Sequence, residues 1–394
     1  MSKRRKQDTL IFKIALLSIS MFCTMAPAIS PALPLMYNAF PGVSKAEVET
    51  LTTIPNIGIV IGLLFSPFLI KLIGQKMTVL VGLIVTLVAG TFPMYVNQYL
   101  PILISRFIIG GGIGLFNSLA VSLIPQFYSN DEEELATMIG YQGVMGGIGN
   151  AVVSFLLTWL LMINWHAAFS IYLLIIPSLI LFAIFVSMPK EQKNNKKSNK
   201  LKVKQHLNRE VALISILMFL LLIFYMPVSF KMPALVVQEK LGIISQLSTL
   251  SGILSIVGIP IGASFGFLFK KLHDKIFPIG FAIVTVGFLL IALASNFEIL
   301  AVGNFVAGVG SGMGLPYMYN WLDWAAPKDS VNLATTIVLV LVNVGCFISP
   351  TIINAITSSP RGTFLVSAGF FGLFTIYAIF HYARVHNKLN MEKK

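Results

Sequence analysis

The sequence predicts an all-α membrane protein with twelve transmembrane helices in two six-helix bundles. Three observations support this prediction. Of the 394 residues, 56% are hydrophobic and only 11% are charged, whereas charged residues make up about 25% of an ordinary soluble domain. Apolar runs recur along the whole chain with short polar joints between them. One long polar segment separates six of these runs from six others.

Each run is long enough to cross a bilayer, because a helix needs about 20 apolar residues to span the hydrocarbon core. The runs lie at residues 10–36, 50–70, 77–96, 100–123, 136–161, 166–188, 211–235, 245–269, 276–295, 298–322, 331–356 and 362–384. The first run imitates a secretory signal, but it continues to Met36, and we expect it to remain as the first span. Prolines at 27, 31, 34, 227 and 233 are expected to kink or break the first and seventh helices.

The long polar segment is a basic linker at residues 190–210, which separates an N-terminal bundle at 1–189 from a C-terminal bundle at 211–394. Placing the linker and both termini in the cytoplasm puts 23 of the 28 Lys and Arg residues on that side, as the positive-inside rule requires. We therefore expect a multi-pass protein of the cytoplasmic membrane with both termini in the cytoplasm. The same rule accounts for the net charge of +13, and we expect no nucleic-acid partner.

The two halves also match each other in part when they are overlaid with a shift of 198 or 199 residues. Residues 106–110 then meet residues 304–308, with Asn304 in the place of Arg106. The glycines of this stretch recur in the second half, but the arginine does not. Repeated bundles of this kind build carriers whose halves rock around a central site.

At the joint between the second and third spans the chain resembles the major facilitator superfamily. The family's loop there reads roughly Gly-x-Leu-x-Asp-Arg-x-Gly-Arg-Lys, and the matching places hold Pro67, Leu69, Lys71, Leu72, Gly74, Gln75 and Lys76. The second-half copy holds Gly266, Leu268, Lys270, Lys271, His273, Asp274 and Lys275, and in both copies lysine replaces the aspartate. Arg106 followed by Gly110 is similar to the family's fourth-span motif.

This resemblance extends over essentially the full length and implies a twelve-span secondary carrier. The fifth span lacks the Gly-Pro pair typical of the family's proton-exchanging exporters. The resemblance to drug exporters is therefore only partial.

The sequence offers no sign of catalytic or cofactor chemistry. It contains neither a Gly-x-x-x-x-Gly-Lys phosphate loop nor an HExxH zinc motif. Cys23 and Cys346 lie far apart in separate apolar runs, which argues against a disulfide and a metal site. We expect no enzymatic activity, no cofactor and no metal.

Arg106 is the first candidate for function because it places a cation inside an apolar span. A charge at the membrane centre costs at least about 3 kcal/mol on insertion scales. Two interpretations stay open: the guanidinium contacts an anionic solute or takes part in coupling, or it holds the fourth helix by hydrogen bonds to a neighbour's carbonyls. Lys231, late in the seventh span, either contacts the solute or extends its ammonium to the interface.

Two further groups of residues are candidates. Polar side chains on the central spans, which could bind a solute or a neighbouring helix, are Asn117, Tyr141, Gln142, Asn150, Tyr317, Tyr319, Asn320 and Asn343. Candidates for charge pairs that gate the carrier at the cytoplasmic ends of the spans are Lys71, Lys76, Lys270, Lys271 and Asp323. We expect the first two lysines to face the acidic run at 131–134, and Asp323 to pair with Lys270 or Lys271 beside an interfacial tryptophan belt.

Together these features favour a secondary transporter that moves a small organic solute across the cytoplasmic membrane by alternating access. The central spans show no buried Asp or Glu, so an anionic or neutral solute is favoured over a lipophilic cation. The alternatives are a proton-coupled multidrug exporter, a lipid flippase and a sensor that binds without transporting. The expected partners are the solute and the lipid bilayer, a coupling ion stays open, and we expect a monomer.

Overall fold

The computed structural model describes residues 9–129, 131–188 and 208–392, and every regular element in these ranges is a helix. The predicted linker lies almost wholly outside the described residues. The chain divides into two compact units, Met1–Lys204 and Gln205–Lys394. Each unit has a buried apolar core of its own.

The described residues of the first unit form seven α-helices with short 3-10 segments between them. The α-helices are α1 (Leu10–Ser18), α2 (Leu33–Tyr37), α3 (Lys45–Thr53), α4 (Pro55–Thr91), α5 (Tyr99–Tyr128), α6 (Glu132–Leu160) and α7 (Ile175–Phe185). The 3-10 segments are Ile19–Phe22, Ala26–Ala32, Phe92–Met94 and Ala167–Leu174. The Ser44 side chain caps the N-terminus of α3 and forms a capping box with Glu47.

The described residues of the second unit form eight α-helices. They are α8 (Arg209–Tyr225), α9 (Pro227–Phe230), α10 (Met232–Gln238), α11 (Ile244–Leu272), α12 (Ile276–Ala292), α13 (Phe297–Ala325), α14 (Val331–Ile356) and α15 (Pro360–Glu392). Asn208 and Asn296 cap α8 and α13 with their side-chain oxygens. Aromatic rings fill much of the core, and those that are fully buried include Phe277, Phe281, Phe288, Phe364 and Phe371.

Nine helical stretches in the described residues are long and apolar enough to cross a membrane. A tenth span results when the pair Leu10–Phe22 and Ala26–Tyr37, bent by 55°, is counted as one. Two of the nine stretches, Lys45–Met94 and Ile244–Ala292, have 50 and 49 residues. At about 1.5 Å per residue each would measure roughly 75 Å, more than twice the roughly 30 Å hydrocarbon core. Each must therefore contain more than one span.

The first of these long stretches folds back on itself at Gly74. Gly62 and Gly82 would stand roughly 30 Å apart along a straight helix, yet both pack on the same turn of α5. A Cβ atom on Gly62 would lie 2.3 Å from the carbonyl oxygen of Gly111, and one on Gly82 would lie 2.7 Å from that of Gly112. The chain reverses where Gly74 has a φ of +82°, a conformation that glycine adopts without strain.

The second long stretch folds back in the same way at His273, where φ is +47°. A Cβ atom on Gly312 would lie 3.0 Å from Ile261, and one on Gly310 would lie 2.6 Å from the carbonyl oxygen of Gly280. With both hairpins divided and the bent pair counted once, the described residues contain the twelve predicted spans. The prediction of an all-α membrane protein is confirmed.

The first and seventh spans are broken near their prolines, as predicted. The first span changes direction between Phe22 and Ala26. The seventh is divided into α8, α9 and α10, and Pro227 and Pro233 lie in the first turns of α9 and α10. Proline has no N–H group and cannot continue the preceding helix. Backbone carbonyl groups near each break are therefore available to other donors.

Candidate functional site

Arg106 lies at a hydrogen-bonded junction of four segments in the first unit, and its side chain is 0% exposed. Its Nε donates to the carbonyl oxygen of Leu51 in α3 at 2.9 Å, and one terminal nitrogen donates to the carbonyl oxygen of Ala26. The other terminal nitrogen donates to the hydroxyl of Tyr172 in the sixth span. The arginine thus ties α5 to segments of the first, second and sixth spans.

Glycines bring the second and fourth spans close enough for these bonds. A Cβ atom on Gly110 would lie 2.0 Å from the carbonyl oxygen of Pro55, and one on Gly58 would lie 2.1 Å from that of Phe107. Small residues allow helix backbones in membranes to approach in this way. The close approach places Leu51, near the end of α3, beside the arginine.

The Ala26 carbonyl is reachable because the first span is broken there. Ala26 begins a 3-10 segment that contains Pro27 and Pro31. Since Pro31 has no N–H group, the carbonyl oxygen of Pro27 accepts from the hydroxyl of Ser30 at 2.5 Å. Backbone groups that an unbroken helix would use internally are thereby turned toward side chains.

All three hydrogen-bond partners of Arg106 are electrically neutral. Among the described residues no carboxylate lies within 4.0 Å of its guanidinium. A guanidinium carries about five N–H donors in a planar fork that matches carboxylate and other oxyanions. Three bonds leave part of this fork available, so the first unit holds a buried cation that can still donate.

The first unit also buries a carboxylate. Glu49 on α3 is 0% exposed, and the hydroxyl of Tyr37 donates to its Oε1 at 3.0 Å. This carboxylate escapes detection from the sequence because it lies next to the second apolar run, where charges usually belong to a joint. Its spacing from Glu47 is the available signal, since residues two apart on a helix do not share a face, and a helix that packs on one side directs one of the two inward.

Lys231 is a buried cation of the second unit. It lies between α9 and α10, is 1% exposed, and donates through Nζ to Oδ1 of Asn354 at 2.7 Å. The ammonium is therefore directed into the unit. The predicted interpretation in which it extends to an interface does not describe this structure.

A cavity of about 240 Å³ lies in the second unit beside Asn304, the counterpart of Arg106 in the repeat. Its polar lining residues are Tyr225, Ser251, Ser255 and Asn304. The two serine hydroxyls donate to carbonyl oxygens of their own helix, and Tyr225 shares a hydrogen bond of 3.0 Å with Ser311. Asn304 makes no hydrogen bond with another described residue. The repeated position thus holds a charged side chain in the first unit and borders an open polar cavity in the second.

The other predicted solute contacts are dispersed, and none of them lines this cavity. Tyr317 is buried and donates to Oδ1 of Asp274 at 3.0 Å, and Asn343 donates to the carbonyl oxygen of Leu339 in its own helix. The remaining six candidates form no hydrogen bond with described residues. Tyr141 and Tyr319 are exposed, and the partly buried ones are Asn117, Gln142, Asn150 and Asn320. Their role as solute contacts stays a prediction.

The predicted charge latch of Lys71 and Lys76 is not formed in this structure. Lys76 donates to the carbonyl oxygen of Ala183 at 2.7 Å, and Glu134 of the acidic run pairs with Lys13. Lys71 is exposed. A long lysine side chain reaches the nearest acceptor. For Lys76 that acceptor is a backbone carbonyl oxygen, and for Lys13 it is a carboxylate on another helix.

The charge pairs predicted to gate the second unit are also absent among the described residues. The residues expected to pair are exposed and form no ion pair with one another: Lys270, Lys271 and Asp323. Trp321 is buried and donates to Oε1 of Glu210 at 2.9 Å. Of the two tryptophans assigned to an interfacial belt, only Trp324 is exposed.

Comparison with known proteins places the chain in a family. A family model described as Major Facilitator Superfamily matches residues 14–277 and 265–393. The probable nitrate transporter NarT of Staphylococcus haemolyticus (strain JCSC1435) is 25% identical over 348 residues, which cover 84% of this chain and 84% of that protein. A protein of the same name from Staphylococcus epidermidis is 24% identical over 368 residues, which cover 90% of this chain and 91% of that protein.

A solved structure has the same fold. The crystal structure of the nucleoside transporter NupG superposes with a TM-score of 0.78 at 13% identity, over 94% of this chain and 99% of that one. The family match covers most of both units. This chain therefore belongs to the major facilitator superfamily, and it is a secondary transporter of the membrane and not an enzyme.

Proposed function

We propose that the transported solute is a small anion and that nitrate is the first substrate to test. The observation that carries this proposal is Arg106, a fully buried cation whose hydrogen-bond partners are all neutral. A buried positive charge without a contacting carboxylate lowers the free energy of an anion nearby and raises that of a cation. The guanidinium donors that remain suit a planar oxyanion.

The choice of nitrate rests on the two staphylococcal relatives, which are both named as probable nitrate transporters. Each is similar to this chain over at least 84% of its length. Identity of 24 to 25% supports a shared solute as a hypothesis.

A neutral polar solute is the second candidate because of the cavity beside Asn304. The hydroxyl protons of Ser251 and Ser255 are bound to backbone carbonyls, so the two oxygens offer lone pairs to a ligand. A solute that donates hydrogen bonds, such as a small amide or polyol, fits these acceptors better than an oxyanion does. The Asn304 amide offers such a solute both donors and an acceptor.

An apolar groove on the first unit gives a lipid flippase no support. The groove has a volume of about 560 Å³ and is lined by Ile84, Val88, Ile104 and Ile108 among others. Its polar lining side chain is Ser105, whose hydroxyl donates to a carbonyl oxygen of its own helix. The groove suits an acyl chain and offers no group that would hold a lipid headgroup.

Counterflow in proteoliposomes tests the proposed solute. Liposomes with purified protein are loaded with unlabelled nitrate, and entry of isotopically labelled nitrate is compared with that in protein-free liposomes. We expect saturable exchange that chloride and urea inhibit weakly and that Arg106→Gln lowers at least about tenfold, equivalent to about 1.4 kcal/mol. Exchange of a small amide in place of nitrate, lost in Asn304→Ala, would establish the second candidate instead.

We also propose that the bundles at 1–189 and 211–394 alternate access to the solute and that both termini face the cytoplasm. The distribution of Lys and Arg supports this orientation. Epitope tags fused to each terminus should be digested by protease in inside-out vesicles and protected in right-side-out vesicles.

A further inference from the structure

Accumulation of an anion against an inside-negative membrane potential needs a compensating charge, supplied by a coupled cation or by an exchanged anion. At an inside-negative potential of 100 mV, a freely exchanging univalent anion is about 50-fold less concentrated inside than outside. Among the described residues of the first unit, one carboxylate is buried, and a carboxylate can bind the compensating charge as a proton. That group is the carboxylate of Glu49.

From the contacts around α3 we infer that Glu49 is the proton-binding site of this transporter and that one proton moves with each anion. The stoichiometry rests on the proposed anion transport, whereas the proton site itself does not. Glu49 is fully buried, and its Oε1 accepts from the hydroxyl of Tyr37 at 3.0 Å. Buried carboxyl groups inside membrane proteins are expensive, and they mark proton relays and ion pathways.

Glu49 and Arg106 hold the two ends of one segment. Ala26–Tyr37 is the second piece of the broken first span. Arg106 donates to the carbonyl oxygen of the first residue of this piece, and Glu49 accepts from the side chain of the last. The Nε of Arg106 also donates to Leu51, two residues beyond Glu49 on α3. The proton site and the cation that would attract an anion are therefore connected through α3 and through the same piece of the first span.

Proton binding changes the hydrogen bond at one end of this piece. The ionised carboxylate only accepts, and it accepts from Tyr37. When one of its oxygens binds a proton from water, a single O–H bond forms, the negative charge disappears and the acid can itself donate. Release of this proton to water on the other side restores the carboxylate. One proton with one univalent anion makes the cycle electrically neutral.

The titratable groups on α3 and on the elements that pack against it are few. They are Lys45 and Glu47 on α3, Tyr37 on α2, Tyr99, Arg106 and Tyr128 on α5, and Lys71 and Lys76 on α4. The 3-10 segment Ala26–Ala32 carries none. Glu47 is exposed, and Tyr99 donates to its carbonyl oxygen at 3.0 Å. Tyr37 hydrogen-bonds the Glu49 carboxylate, and Arg106 is the buried cation of the group.

Proteoliposomes test the coupling when exchange and accumulation are measured separately. With no gradient, wild type and Glu49→Gln should both exchange labelled nitrate for unlabelled nitrate. With an alkaline interior, wild type should accumulate nitrate about tenfold per pH unit, and Glu49→Gln should not accumulate it. Glu47→Gln is the matched control on the same helix, because glutamine also completes a capping box, and it should behave as wild type.

Each outcome decides one of the two proposals. Wild type that exchanges nitrate but does not accumulate it, or a Glu49→Gln variant that accumulates it, overturns proton coupling and leaves anion transport standing. If wild type exchanges no nitrate, the proposed anion transport fails, and pH-difference infrared spectroscopy decides the proton site. The carbonyl band of a protonated acid should then be lost in Glu49→Gln and kept in Glu47→Gln.

An infrared spectrum that Glu49→Gln leaves unchanged overturns the proton site. If size-exclusion chromatography shows that this variant is not folded, Tyr37→Phe takes its place, because it keeps the carboxylate and removes the hydroxyl that contacts it. The band should then shift, and an unshifted band overturns the inference.

Discussion

The junction around Arg106 allows a quantitative prediction for Arg106→Lys. Lysine keeps the positive charge but presents one compact ammonium in place of a planar fork. It cannot bond at the same time to the carbonyl oxygens of Leu51 and Ala26 and to the hydroxyl of Tyr172. We expect about two of the three interhelical hydrogen bonds to be lost, including the bond to the Tyr172 hydroxyl.

The magnitude follows from these bonds. An interhelical hydrogen bond in a membrane protein contributes about 0.6 kcal/mol on average and up to about 1.7 kcal/mol, so two lost bonds lower the free energy of unfolding by about 1–3 kcal/mol. Tyr172→Phe removes one of the same bonds and should cost about 0.6–1.7 kcal/mol. In the double variant the shared bond is lost only once, so the combined cost should be smaller than the sum of the two single costs.

Denaturant titration of the purified protein in detergent measures these free energies. Arg384→Lys makes the same chemical change at an exposed position and should be indistinguishable from wild type. Arg106→Lys with wild-type stability, or a double variant whose cost equals the sum, would refute the hydrogen-bonded junction around Arg106.

Three further predictions concern other contacts. Gly110→Ala should lower the free energy of unfolding by about 1–3 kcal/mol, because its Cβ atom would lie 2.0 Å from a backbone oxygen. Gly111→Ala, whose Cβ atom would have its nearest neighbour at 4.0 Å, should leave thermal unfolding unchanged, and equal effects of the two changes would contradict the close contact. Arg361→Ala should lower the free energy of unfolding by about 1–3 kcal/mol, because it removes hydrogen bonds to two carbonyl oxygens at 3.0 Å. Glu239→Gln removes only the exposed ion-pair partner and should cost less than about 1 kcal/mol. The opposite order in a denaturant titration would contradict this prediction. Asn304→Leu should abolish any thermal stabilisation by a small amide and leave nitrate exchange unchanged, and stabilisation that survives would exclude the cavity as the binding site of the amide.

The spans could be predicted from the sequence because the bilayer imposes a minimum apolar length and proline imposes breaks. The hairpins at Gly74 and His273 also fall at predicted joints, although their helical hydrogen bonding is nearly continuous. The division of the first span was predictable from its prolines, but the carbonyl group that the break would offer to a side chain was not.

The candidate site was predictable only in part. Arg106 was conspicuous as a cation within an apolar run, but two of its partners are backbone carbonyls of Leu51 and Ala26. Every residue supplies such a group, so no side chain in the sequence distinguishes these two positions. The gating pairs failed for a related reason, since Lys76 found a carbonyl oxygen in place of the expected carboxylate.

The cavity beside Asn304 depends on how three helices of the second unit are spaced, and no local pattern reports that spacing. The repeat did identify Asn304 as the counterpart of Arg106. It indicated that the two halves differ at this position, but it did not indicate that Asn304 would line a cavity.

The glycine contacts of the first unit have a consequence for how the protein is made. Those between the second, third and fourth spans join residues that all lie between Pro55 and Phe116, so these three spans can pack as soon as this short stretch has entered the membrane. The 278 residues that follow take on the order of tens of seconds to synthesise at roughly 5–20 residues per second. The helical core around Arg106 can therefore assemble before the second unit exists, and a larger side chain at Gly110 would act first on insertion and yield, before any solute is carried.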